Sequence, residues 1–272
     1  MNVGVDVCEV RPPKIKSRGN AGKTDWIDAE MAARNILHLS MAALICPRIG
    51  NERKILRITL GSRNNLVKQQ TMDKNALNAL VRSLDIGVDA RKALTYAKIT
   101  ELASSRCYAC DAPHEAAARF EAKRLAVSIV ERRKVLDANE LALEKLVRTI
   151  APMLLSMSGV GPVCAAQILC AYSHKGRIKS PEAFCTLAGV APIPASSGNT
   201  IRHRLSRFGD RTLNHALDVV ARTRMQIDEE TMTYIDKRTR LGSSRKEIKR
   251  ALKRYIARNI FKKLELLNLG ID

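Results

Sequence analysis

Hydrophobic residues alternate with polar ones at the start of the chain and recur at helical spacing over most of the remainder. Three valines alternate with small or polar residues over 1–10, a pattern that predicts a β-strand. Pro12 and Pro13 end this strand, because proline cannot continue a central strand. A helix is predicted over 24–46, with Asp25 and Asp28 in its first turn.

Residues 52–150 are predicted to be almost wholly helical, with few helix-breaking residues: Gly61, Gly87 and Pro113. Arg132 and Asn139 occupy two positions of an otherwise apolar seam, where polar residues set register at some cost in stability. The pattern predicts a long helix packed as a coiled coil or a helical hairpin; one amphipathic helix of an ordinary bundle is the alternative. The apolar seam positions are Leu125, Ile129, Leu136, Leu143, Leu146 and Ile150.

The stretch MSGVGPVCAAQIL at 157–169 places Gly159 and Gly161 between two apolar helical segments. This spacing is typical of a helix-hairpin-helix turn, in which glycines let the backbone approach a phosphate and the next helix offers its unpaired N–H groups. A plain tight turn between packed helices is the alternative. A further helix is predicted after Ser180 and Pro181, which suit its cap and first position.

A cationic segment, PIPASSGNTIRHRLSRFGDRTLNHAL, follows at 192–217. Ser196 and Ser197 stand in a turn ahead of the cations Arg202, Arg204, Arg207 and Arg211. A serine beside cations could attack a phosphodiester, since cations stabilise the charge that grows on phosphorus. Serine needs a base or a metal for this reaction, and on spacing alone a simple turn is the usual interpretation.

The charge balance favours a polyanionic partner. Of 272 residues, 47 are Lys or Arg and 27 are Asp or Glu, which leaves a net charge of +20. One basic run, at 11–23, includes Lys23, and another forms an amphipathic helix at 243–267. Lys249 and Lys253 on that helix are predicted to contact a nucleic-acid backbone, and the alternative is a solvated basic face. Ile248, Leu252, Tyr255 and Ile256 are predicted to face inward.

The cysteines and the hydropathy of the chain indicate where in the cell the protein is expected to reside. The seven cysteines are scattered, and no signal peptide precedes them, so free thiols in a reducing cytoplasm are expected. Cys107 and Cys110, with His114 near, make only half of a zinc-site pattern. The apolar run at 36–46 is too short for a membrane-spanning helix, which needs roughly 20 residues.

Four stretches together resemble the IS110 family of insertion-sequence transposases: KTDWIDA, SGVGPVCAAQIL, FCTLAGVAP and SSGNTIRHRLSRFGDRTLNHAL. The resemblance implies a DNA recombinase whose four acids bind Mg²⁺, whose serine attacks DNA, and whose target is chosen by structured RNA from the element. On this sequence, Ser197 matches the nucleophile, and Asp25 and Asp28 match the third and fourth acids. The likeness extends over essentially the whole chain.

The first two acids of the family pattern have no assigned counterpart here. VGVDVCEVRPP resembles the last strand and linker of the family's first domain, so we expect a chain that begins inside that domain. Asp6 as the opening acid is discounted, because too few residues separate it from Asp25 for the intervening strands and helix. Glu9 cannot be assigned to the missing glutamate. Asp25 and Asp28 could also serve only as favourable charges at a helix start.

The predicted fold is mainly α. It comprises a remnant of an α/β resolvase-like (RNase H-like) domain at 1–50, a helical, coiled-coil-like linker at 51–150 and a helical C-terminal serine transposase domain at 151–272. The predicted function is DNA strand cleavage and transfer by a copy that is truncated and impaired. Double-stranded DNA, guide RNA and a second copy bound through the helical region are the expected partners. The alternative is a non-catalytic basic nucleic-acid-binding protein.

Overall fold

The computed structural model describes most of the chain and supports a mainly helical fold. It describes residues 7–9, 25–40, 44, 47, 50–83, 87–89, 91–106, 112–194, 203–204 and 208–267, with only the backbone at 194, 203 and 204. The helices are α1 Asp25–Leu37, α2 Asn51–Ser83, α3 Tyr96–Ser104, α4 Pro113–Ile150, α5 Pro152–Leu155, α6 Pro162–Tyr172, α7 Pro181–Leu187, α8 Arg211–Ile227, α9 Glu229–Arg240 and α10 Arg245–Leu266. Two short strands, β1 Ile193–Pro194 and β2 His203–Arg204, pair antiparallel.

Helices α2 and α4 form a long antiparallel hairpin, one of the two arrangements that the seam pattern predicts. The seam residue Asn139 donates its side-chain amide to the carbonyl of Thr59 at 3.1 Å. The other polar seam residue, Arg132, lies two turns before Asn139 on α4 and pairs with Asp73 of α2. These cross-helix bonds join groups at specific positions along both helices, so they hold the register of the pair. Packing as a coiled coil stays a prediction.

Residues 52–150 are largely helical, as the sequence pattern predicted, but the helix is interrupted at two places. Helix α2 ends at Ser83, and α3 begins only after Thr95, whose side chain accepts a hydrogen bond from the amide of Lys98. Gly87 has a φ of +77°, outside the helical range. Helix α3 packs against α2 and α4 around Leu77, Ile99 and their neighbours, which form a second, smaller apolar cluster.

The main hydrophobic core lies among α6, α7, α8, α10 and the adjoining ends of α2 and α4. Leu56 and Val147, from the hairpin, share this core with Phe184 and Phe261. The ring of Tyr172 lies edge-on to Phe261, and its hydroxyl donates to Glu265 at 2.6 Å. The core is therefore continuous across residue 150, and the predicted domain boundary there stays a prediction.

The N-terminal helix is shorter than expected. It ends at Leu37 rather than at 46, and a turn follows at 38–39. No residue of α1 is buried, and Trp26 and Leu37 are largely exposed. The predicted strand at 1–10 lies mostly outside the described residues, so a resolvase-like remnant stays a prediction. None of the described helices is both long enough and apolar enough to cross a membrane.

Candidate nucleic-acid interface

The serine-bearing segment leaves and re-enters the fold through a small β-hairpin. Ile193 of β1 lies opposite Arg204 of β2, and Pro194 lies opposite His203. The strands therefore bring the two ends of segment 195–202 side by side. Ser197 lies on that segment, outside the described residues. Lys23, Arg202 and Arg207 also lie outside them, and only the backbone is described for Arg204.

Two glycines hold the base of this hairpin in close backbone contact. A Cβ on Gly189 would stand 2.6 Å from the carbonyl oxygen of Phe208, and one on Gly209 would stand 2.7 Å from that of Leu187. Both glycines have positive φ, +65° and +120°. The amide of Asp210 donates to Leu187 at 2.7 Å and closes the contact. A side chain at either glycine would separate the two arms of the hairpin.

A partly buried polar cluster ties the hairpin base to α8 and α10. Asn214 on α8 donates its side-chain amide to the carbonyl of Ala188 at 2.7 Å. Its side-chain oxygen accepts a hydrogen bond from the ammonium of Lys253 on α10, also at 2.7 Å. Lys253 is only 9% exposed. Because both groups of the amide are engaged, Asn214 links three parts of the domain at one point.

Asp218, one turn further along α8, supplies the counter-charge for this cluster. Its carboxylate lies 3.4 Å from the ammonium of Lys253 and 3.1 Å from that of Lys249, and Arg222 also pairs with it at 3.1 Å. Burial raises the pKa of Asp218, but the bonds and charges of both lysines outweigh burial, so the net shift is downward. Burial lowers the pKa of Lys253, and Asp218 offsets only part of that effect.

The exposed face beside this cluster is positive. Arg211, His215 and Arg222 lie at spacings of four and seven on α8, so they share one face of the helix, and all three are exposed. Asp218 lies on the same face, where three cations already surround it. The net charge of the face is therefore positive, which suits a phosphate backbone.

The C-terminal helix differs from the sequence prediction at two positions. Lys253 lies in the interior with Asn214 and Asp218, whereas the sequence placed it on an exposed basic face. Tyr255, predicted to face inward, is 57% exposed and lies edge-on to Tyr234 of α9. Lys249 is partly exposed and paired with Asp218. The buried stripe of α10 includes Lys253 and excludes Tyr255, so it is rotated about the helix axis relative to the prediction.

The glycine turn, which contains Gly159 and Gly161, needs its first glycine for a structural reason. Gly159 has a φ of +74°, and a Cβ there would stand 3.0 Å from the carbonyl oxygen of Val220 on α8. Arg224 fastens the same contact by donating its Nε to the carbonyl of Ser158 at 2.8 Å. Glycine is therefore required for close packing against α8, independent of any phosphate.

The second glycine of the turn faces open space. Gly161 forms the N-cap of α6, and nothing lies within 4 Å of where its Cβ would be. It lines an open cleft of about 490 Å³, together with neighbouring turn residues, α8 and Glu140 of α4. Arg63 pairs with Glu140 at 2.9 Å, which offsets the acid at this cleft. A helix-hairpin-helix role for the turn stays a prediction.

The predicted metal-binding acids lie at the start of α1. Asp25 and Asp28 are both in its first turn, Asp25 exposed and Asp28 partly buried. Within the described ranges, no group of three or more Asp, Glu, His or Cys side chains is arranged to hold a metal ion. Cys107 and Cys110 lie outside those ranges. Carboxylate oxygens suit Mg²⁺ in kind, and the two aspartates would supply only two of the six ligands of an octahedral Mg²⁺ site.

The part of the chain that contains this hairpin matches a known protein family. Residues 151–236 match the family model described as Transposase IS116/IS110/IS902 family. That range includes the glycine turn, the serine segment and α8 with its positive face. Over this range the chain is similar to transposases of the IS116/IS110/IS902 family. The resemblance to this family is thereby confirmed for the three stretches that lie in this range, whereas KTDWIDA lies outside it.

A curated relative agrees with this assignment. The insertion element IS110 uncharacterized 43.6 kDa protein of Streptomyces coelicolor is 30% identical over 118 residues. The matching segment covers 43% of this chain and 29% of that protein, so the similarity spans less than a third of the relative's length. The activity and partners of the whole relative therefore remain matters of proposal for this chain.

Sequence reasoning missed the residues that organise the site. Asn214 and Asp218 carry no local signal, since both read as ordinary polar positions of an amphipathic helix. Their importance arises from contacts with residues more than thirty positions away in the chain. Four arginines of the cationic segment were predicted to contact nucleic acid. Of these, only Arg211 has a side chain within the described part of the structure, and it is exposed at the start of α8.

Proposed function

We propose that this chain acts on DNA as the recombinase of an insertion sequence, cleaving and transferring strands during transposition. The observation that carries the proposal is the transposase-family match over 151–236. The net charge of +20 supports DNA as the partner, because a strongly cationic surface suits a polyanion.

DNA binding would rest mainly on phosphate contacts. Arg211, His215 and Arg222 present a positive face next to the hairpin, and further exposed cations lie on α9 and α10. Lys253 is a poor candidate for such a contact, because its ammonium is already bonded to Asn214 and Asp218. Phosphate contacts release counterions, so affinity should fall steeply with rising salt.

Strand cleavage would use Ser197 as the nucleophile. Its hydroxyl oxygen would form a bond to phosphorus while the bond to the leaving oxygen breaks, and its proton would pass to a base. Arginines of the cationic segment would stabilise the negative charge that develops on the phosphoryl oxygens. The contacts of Gly189, Gly209 and Asn214 at the hairpin base support this role, because a nucleophile needs a fixed support.

Mg²⁺ is the proposed cofactor, with Asp25 and Asp28 as two of its ligands. When bound, it would supply charge stabilisation at the reacting phosphate. Structured RNA from the element is the proposed guide, as the family resemblance implies. A second copy, joined through the α2–α4 hairpin, is the proposed oligomeric partner. Several apolar side chains on that hairpin, including Ile58 and Met72, are exposed.

Two assays on the same preparation test the proposal. Binding to a labelled duplex is titrated at several salt concentrations, and strand transfer is followed with element-end DNA, target DNA, element RNA and Mg²⁺. We expect steeply salt-dependent binding and transfer products that disappear with a chelator. Salt-dependent binding without any transfer would favour the non-catalytic nucleic-acid-binding alternative. A flat salt response or no binding at low salt would contradict both.

A further inference from the structure

Cations form a continuous row along α10. This helix contains nine Lys or Arg residues and two Glu residues. Five of the cations follow one another at intervals of four residues, so they lie one turn apart on the helix surface and span about 24 Å. All five are at least partly exposed. The members of this cationic row are Lys246, Arg250, Arg254, Arg258 and Lys262.

The cationic row differs from an ordinary solvated helix face. Like charges one turn apart destabilise a helix, whereas opposite charges at that spacing stabilise it. Exposed arginines of α4 follow the stabilising pattern, since Arg133 pairs with Asp137 and Arg148 pairs with Glu144. Within the cationic row, the neighbour one turn away is always another cation. This arrangement costs stability in the free protein, so it favours a partner that supplies the negative charge.

The acids close to the row leave most of its charge in place. Glu247 accepts hydrogen bonds from the amide and the hydroxyl of Ser244, the cap of α10. Glu265, beyond the other end of the row, accepts a hydrogen bond from a buried tyrosine hydroxyl. Among the described residues, Glu182 of α7 is the one acid that pairs with a member of the row, Arg258. The row therefore presents a strong positive charge to solvent.

The packing of α10 determines how a polyanion could approach the row. Ile256, Ile260 and Leu264 are buried in the main core, so the helix cannot enter a groove of DNA. The row lies on the outward side of the helix, where it can meet phosphates on the outside of a duplex. Base edges lie inside the grooves, beyond its reach. The geometry therefore suits contacts that hold the backbone and carry no sequence information.

We propose that the cationic row of α10 binds the phosphate backbone of duplex DNA without reading its sequence. This inference rests on the proposed function and deepens it, because it names a surface that holds the substrate. Lys253, which the sequence placed on the basic face of this helix, has no part in it. A duplex is favoured over a single strand, because single-strand binding depends on stacked aromatic rings and no member of the row is aromatic.

The first test removes the charge at both ends of the row. Lys246→Gln/Lys262→Gln is compared with Lys134→Gln/Lys145→Gln, which removes two exposed lysines from α4. Binding of the 272-residue chain to a labelled DNA duplex, and to an RNA duplex of the same sequence, is titrated at several salt concentrations. The row variant should lose about 2 from the slope of log affinity against log salt and bind DNA about tenfold more weakly. The α4 variant should keep the wild-type slope.

The second test strengthens the row. Glu182→Gln releases the guanidinium of Arg258, so it should tighten DNA binding about threefold and raise the salt slope by about 1. Glu144→Gln releases Arg148 on α4 in the same way and should change neither quantity. A gain in binding cannot result from a damaged fold. Urea unfolding checks the fold of the lysine variants, and the row variant should be no less stable than wild type, because it relieves repulsion between like charges.

Each contrary result has a distinct meaning. Equal losses in the two lysine variants would show that only the total charge matters, and this would overturn the assigned surface. Unchanged binding by Glu182→Gln would overturn it as well. Weaker binding of the RNA duplex alone by the row variant would make RNA the partner and the assignment to DNA wrong. All of these results leave the proposed function intact, whereas failure of wild type to bind either duplex would remove the proposed function itself.

Discussion

Gly189→Ala tests the close contact at the base of the serine-bearing hairpin. The new Cβ would stand 2.6 Å from the backbone oxygen of Phe208, a distance that real Cβ atoms do not tolerate, and the φ of +65° also disfavours alanine. The strained φ costs about 1–2 kcal/mol. Displacing packed backbone adds roughly 1–3 kcal/mol. The expected loss in free energy of unfolding is therefore about 2–5 kcal/mol.

Gly176→Ala is the matched control, because it isolates the cost of the backbone conformation. Gly176 has a φ of +83°, and nothing lies within 4 Å of where its Cβ would be. It should lose only the strain, about 1–2 kcal/mol. Urea unfolding of both variants, followed by circular dichroism, measures the difference. A Gly189→Ala variant no less stable than Gly176→Ala would refute the account of the hairpin base.

Two further predictions concern charged groups that are at least partly buried. Lys253→Met should lower the free energy of unfolding by about 1–3 kcal/mol, because it removes the donor that Asn214 accepts from; urea unfolding measures this, and an unchanged midpoint would contradict it. Burial raises the pKa of Asp73, but hydrogen bonds from Arg132 and Ser128 lower it by more, so the net shift is downward. Asp73 therefore stabilises the fold above its unfolded pKa of about 3.9, and this stability is lost as the pH falls through the lower folded value. Asp73→Asn should flatten that part of the curve of thermal midpoint against pH, and an unaltered curve would count against the Arg132 pairing.

The sequence predicted the parts of the fold that depend on local pattern. Helical periodicity predicted α4, and the polar seam positions Arg132 and Asn139 do contact α2. The sequence also predicted a helix cap at Ser180, and the side chain of Ser180 accepts a hydrogen bond from the amide of Ala183 at the start of α7. These features are fixed by residues a few positions apart, or by a repeat sustained along one helix.

The features that organise the candidate site depend on contacts between distant segments. The burial of Lys253 could not be predicted, because a lysine on a highly basic helix resembles its solvated neighbours until Asn214 and Asp218 are placed opposite it. The need for glycine at position 159 could not be predicted either, because it arises from the close packing of α8 against the turn rather than from the turn itself. Ser197 was proposed from family resemblance and stays a prediction.

The central claim is that Ser197 attacks DNA, and the pair Ser197→Ala and Ser196→Ala tests it most directly. Both variants are assayed for strand transfer with Mg²⁺ and element RNA, and for duplex binding as a control. Ser197→Ala should abolish transfer while binding stays nearly unchanged, because one hydroxyl adds little to a phosphate-dominated interface. Ser196→Ala should retain most of the transfer activity. Equal losses in the two variants, or transfer by Ser197→Ala, would contradict the claim.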